Sequence, residues 1–95
     1  MTKFYGYELP NIKEVDNQEN PLAIAHFSNG KWDWYVLGGE ELDNGDFYLF
    51  GFVNGIEKEL GFFTLHEILK NGAIHDENFI HVGVFDIYPD FDLRL

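Results

Sequence analysis

The sequence has no cysteine, one serine, one methionine, and only six lysines and arginines to set against 17 aspartates and glutamates. Without cysteine there is no disulfide, no thiolate nucleophile and no Cys-type zinc site. One serine, Ser28, and two threonines, Thr2 and Thr64, leave thin material for nucleophilic catalysis. No apolar run approaches the roughly 18 residues of a membrane span. The opening "MTKFYGYELP" has no apolar stretch of the kind a secretory signal carries. These absences point to a cytoplasmic chain with no membrane partner. The shortage of bases is as telling. A formal charge of −11 repels nucleic acid and anionic surfaces, so direct binding to nucleic acid is not expected.

What the sequence does have is aromatic residues: ten phenylalanines, five tyrosines and two tryptophans in 95 positions. A chain of 11.1 kDa buries roughly 65% of its unfolded surface, enough for a single domain spanning residues 1–95. At roughly 200 Å² each, the aromatic rings would supply about a third of that buried area. Aromatic richness is therefore compatible with an ordinary core.

The hydrophobic pattern predicts a mostly antiparallel sheet. "LAIAHF" (22–27) and "KWDWYVL" (31–37) flank the turn signal "SNG" and read as a hairpin. "GGEELDNGD" (38–46) reads as an acidic loop turned by Asn44-Gly45. "FYLFGFV" (47–53) is apolar on both faces, which predicts a central strand covered on both sides. "ELGFF" (59–63) is the next strand. "TLHE" (64–67) fits a capping box, and "NG" (71–72) stops the helix that follows after about two turns. "NIKEVDNQEN" (11–20) is one helical turn or a polar loop. "FIHVGVFDI" (79–87) reads as a late strand, with "DFDLRL" (90–95) as an edge strand or tail. The fold class expected is α+β: an antiparallel β-meander of about four to six strands with one short helix packed on it.

Several of these segments together resemble a family of small bacterial proteins described only as a domain of unknown function and often carried on plasmids and other mobile elements. The matching residues are Leu9-Pro10, "LAIAHF", "WDWY" (32–35) and "FGFVNGIEKELGFFTLHEI" (50–68). The resemblance covers roughly residues 9 to 70. It implies a mobile-element context and brings no activity and no catalytic residues.

Four candidate constellations follow from the residues themselves. His26, His66, His75 and His81 lack the i, i+4 or H-x-H spacing of a metal site, although His26 and His81 fall in strands that can be neighbours. No metal and no cofactor are expected. "EELDNGD" gathers carboxylates but not in the register of a calcium loop. Trp32 and Trp34 fall on one face of a strand, as an aromatic platform or as caps of the core. Lastly, the acids Glu40, Glu41, Asp43 and Asp46, with Asp76, Glu77, Asp90 and Asp92 as a second set, offer a surface for a basic protein. The function expected is non-enzymatic binding. Its sharpest form is a mobile-element protein that inhibits a host nucleic-acid-acting defence enzyme by imitating DNA. The alternatives are an accessory interaction domain whose charge serves solubility, and a small hydrolase using a carboxylate pair.

Overall fold

The structure is a computed structural model, and it describes residues 2–89. Asp90 and Asp92 of the second acidic set, and the edge strand or tail expected at 90–95, lie outside the described residues. The elements run β1 (Lys3–Phe4), β2 (Tyr7–Glu8), α1 (Ile12–Asp16), β3 (Leu22–Ala23), β4 (Ala25–Ser28), β5 (Asp33–Glu41), β6 (Phe47–Asn54), β7 (Lys58–Thr64), α2 (Leu65–Lys70), β8 (Ile74–His75), β9 (Val82–Gly83) and α3 (Val84–Ile87). The main sheet has five antiparallel strands in the order β7-β6-β5-β4-β8. β4 to β7 form the expected meander. α2 then carries the chain back, so that β8 adds to the far edge beside β4.

Strand alternation sends neighbouring residues to opposite faces, and both faces are apolar. On one face Trp34, Val36, Leu49 and Phe63 pack with Phe4, Phe27, Leu65 and Ile68. On the other, Tyr35, Leu37 and Phe52 pack with Val15 of α1 and Val84 of α3. Three short helices are therefore described where the sequence suggested one, with a helical turn as one reading of 11–20, and the sheet is covered on both sides except where Tyr48 and Phe62 stay exposed. That is what the two-faced run 47–53 demanded.

α2 starts as its sequence predicts. The Thr64 hydroxyl accepts the Glu67 N–H at 3.1 Å, and the Glu67 carboxylate accepts the Thr64 N–H at 3.2 Å. α1 uses the same device through Asn11, whose side chain accepts the Glu14 N–H at 2.9 Å.

Two segments differ from the sequence reading. Gly38 and Gly39 belong to β5 and not to a loop. A bulge after Val36 lets the 10–15 segment dock there: the Gly39 N–H donates to the Pro10 carbonyl at 2.9 Å, and a Cβ on Gly38 would lie 2.7 Å from that same oxygen. The hairpin loop shrinks to the residues around Asp43-Asn44-Gly45, where Gly45 takes the left-handed backbone (φ +87°). The late strand is also shorter than its alternation suggested. Only Val82–Gly83 pairs, against β3, and the chain then turns helical. Asn20 imposes the switch. Its side-chain oxygen accepts the Phe85 N–H at 2.9 Å, and its amide donates to Asp86 at 3.2 Å. Only a glycine at 83 leaves room for it, since a Cβ there would meet the Asn20 amide at 2.3 Å.

Candidate functional site

The acids expected to act together are placed apart. Glu40 and Glu41 end β5 and Asp43 tops the turn, all three exposed. Alternation sends Glu40 to the face of Tyr48 and Glu41 to that of Phe47. Asp76 and Glu77 follow β8, beside His26, whose partner on β5 is Tyr35. From Tyr35 to Glu41 is six residues of strand, roughly 20 Å. Glu40, Glu41 and Asp43 thus sit toward one end of the sheet, and Asp76 and Glu77 toward the other.

Asp46 is not a surface carboxylate. It is 6% exposed, the one buried charged residue among the described residues. One oxygen accepts the Phe47 N–H at 2.7 Å and the His66 N–H at 3.0 Å, and the other faces the His66 ring at 3.5 Å. Burial pushes its pKa up, but these hydrogen bonds and the His66 ring outweigh it and hold the carboxyl below its ordinary value. Asp46 thus ties the hairpin tip to the first turn of α2, where the backbone N–H groups need acceptors. Sequence reading grouped it with Glu40 and Glu41 because nothing local distinguishes it from them.

Sequence reading also missed a cluster around His26. Its Nε2 lies 2.7 Å from Asp33 and its Nδ1 3.0 Å from Asp76. The ring stacks on Tyr35 with centroids 4.5 Å apart and planes 13° apart. The two carboxylates come from positions 7 and 50 residues away, so no spacing rule could have found them. The hydrogen bond from His26 holds Asp76 below the ordinary carboxylate value. With a carboxylate against each nitrogen, the ring is fixed in place between Asp33 and Asp76. Two of the three candidate hydroxyls accept structural hydrogen bonds: Ser28 from the Gly30 N–H, and Thr64 as the cap of α2. The cluster clamps β8 and the 76–79 turn to the sheet. His81 is not a sheet neighbour of His26; it lies against Tyr7 with ring centroids 4.2 Å apart. Among the described residues, no three histidines or carboxylates gather as metal ligands. Nor is any helix long and apolar enough to cross a membrane.

The two tryptophans do not form a flat platform. Trp34 is 5% exposed and belongs to the core, whereas Trp32 is 36% exposed and precedes β5. Their rings are stacked at 6.0 Å. Trp32 leans on Gly55, where a Cβ would meet its ring at 2.4 Å. Together the indoles wall a hollow of ≈ 240 Å³ between the sheet and α2. Glu59, Gly61, Glu67 and Asn71 also line it. A second hollow on the Asn29 side shares Trp32, Trp34 and Asn71.

Comparison with family models, with curated proteins and with solved structures finds no match to this chain.

Proposed function

We propose that this protein is a non-enzymatic, acidic binding module whose partner is a basic protein. The observation that carries the reading is an uncompensated surface. Of the described carboxylates, all but Asp33, Asp46 and Asp76 are exposed, and the ion pairs within 4.0 Å use histidine, with no lysine among them. A field of that kind raises encounter rates with cations and repels polyanions. The engagement of His26, Ser28 and Thr64 in structural hydrogen bonds speaks against catalysis.

In its sharpest form the partner is a nucleic-acid-acting enzyme, and Glu40, Glu41, Asp43 and Glu77 occupy sites that phosphates would take. The separation of Glu40, Glu41 and Asp43 from Asp76 and Glu77 suits a channel as long as the domain better than a single pocket. A mobile-element origin and a cytoplasmic site of action belong to the same proposal.

Capture on the immobilised protein from a bacterial extract tests it. The proteins retained should be basic, should elute at about 0.5 M salt as charges are screened, and should be displaced by duplex DNA. Glu40→Gln, Glu41→Gln and Asp43→Asn together should weaken retention. Retention that ignores both salt and DNA would overturn the reading.

A further inference from the structure

The hollow beside α2 is built by strand register. Trp34 on β5 faces Val53 on β6, and Val53 faces Glu59 on β7, so one row across three strands runs from a buried indole to an exposed carboxylate. The next row pairs Gly51 with Gly61. These two glycines have different reasons to be there. A Cβ on Gly51 would lie 2.0 Å from the Tyr35 carbonyl oxygen, so the backbone itself demands glycine. A Cβ on Gly61 would meet nothing within 4 Å, and its backbone is not left-handed. Glycine within a strand weakens it, and neither close approach nor φ requires one at 61. What it does is keep the side of the hollow open.

The lining joins an apolar wall to acidic groups: Val53, Phe62, Phe63 and Ile68 stand beside the two indole rings, two carboxylates and an amide complete it, and it has no lysine or arginine. Lys58, the neighbour of Glu59, is turned to the opposite face, with its ammonium 5.1 Å from the centre of the Tyr88 ring. Glu67 uses Oε1 on its helix cap, and its other oxygen makes no hydrogen bond among the described residues. Aromatic faces and carboxylates both attract cations, and indole does so best among the rings. At ≈ 240 Å³ the hollow falls below the roughly 300–1,000 Å³ of small-molecule sites, and is sized for one side chain.

We propose that this hollow is the specific part of the acidic surface, and that it takes the guanidinium of one arginine side chain presented by a basic protein partner. The inference rests on the reading of the partner as basic. The guanidinium lies against the indoles and donates to Glu59 and Glu67. Arginine fits better than lysine because its planar, weakly hydrated head can stack and bond at once.

The test uses the peptide acetyl-Gly-Arg-Gly-amide and its citrulline analogue, which keeps the shape and loses the charge. With two tryptophans in the chain, the two indole N–H resonances report directly on the hollow. The arginine peptide should shift both in a saturable titration. The citrulline peptide should bind about tenfold more weakly. Glu59→Gln with Glu67→Gln should cost a similar factor, because glutamine keeps the cap at position 67. Gly61→Leu, which fills the hollow, should abolish the shifts while the fold persists. Glu8→Gln with Glu19→Gln removes the same charge elsewhere and should change little. Equal binding of the two peptides, or no indole shift, overturns the arginine site. An equal loss in the Glu8/Glu19 variant also overturns it, but leaves the broader acidic reading standing, since the peptide would then sense only the overall field.

Discussion

The Asp46 carboxylate accepts the His66 N–H at 3.0 Å, and this joins the acidic hairpin to the start of α2. It fills the role of a second cap, delivered from 20 residues away, next to the local one made by Thr64. A helix of six residues has too few internal hydrogen bonds to stand alone, so both caps bear on whether it forms.

That arrangement orders two substitutions. Thr64→Ala should cost about 1 kcal/mol. Asp46→Ala should cost more, about 2 kcal/mol, because it removes the acceptor of two part-buried amides, those of Phe47 and His66, at once. Urea unfolding midpoints of the two variants settle the order. A smaller loss for Asp46→Ala than for Thr64→Ala would mean that the carboxylate belongs to the surface after all.

Acid should weaken the fold. Asp46 and Asp76 are both held below the ordinary 3.8, by amides of the chain and the His66 ring in one case and chiefly by His26 in the other. A carboxyl that is more acidic folded than unfolded adds stability that is present above 3.8 and disappears as pH falls through its lowered value. From these two groups stability should be level above about pH 5 and fall below 3.8. Asp46→Asn with Asp76→Asn should start less stable and show a shallower acid slope. Denaturation midpoints across this range check it, and an unchanged slope would remove both groups from the account.

The glycine pair gives opposite outcomes at facing positions. Gly51→Ala must displace the Tyr35 carbonyl from the sheet centre and should cost several times the roughly 1 kcal/mol spread of strand propensities. Gly61→Ala meets open space and should stabilise by about 0.5–1 kcal/mol. Thermal midpoints of the two variants read this directly. Destabilisation by Gly61→Ala would show that the hollow is already closed in solution.

How far the sequence could be read follows the range of the interactions. The meander, the capping box and the Asn44-Gly45 turn were legible because each depends on residues within a few positions of one another. The helix at 84–87 was not, because Asn20 starts it from 65 residues away, and the alternation of 79–87 had no way to register that. The two glycines at 38–39 looked like loop residues because their reasons are distant: Gly38 makes room for the Pro10 carbonyl, and Gly39 for the Tyr48 carbonyl on the next strand.

The candidate site divides along the same line. Composition by itself determined the charge, and with it the repulsion of polyanions, since charge adds up whatever the fold. The two-faced apolar run by itself determined that the 47–53 strand would bury residues on both faces, as Leu49 and Phe52 do. Only the tertiary structure decided that Asp46 is buried while Glu40 and Glu41 are exposed, that His26 has a carboxylate on each nitrogen, and that Trp34 faces Glu59 across Val53. Burial and cross-strand register depend on which distant segments meet, and a carboxylate has the same chemistry in the sequence whether it ends up in water or against two amides.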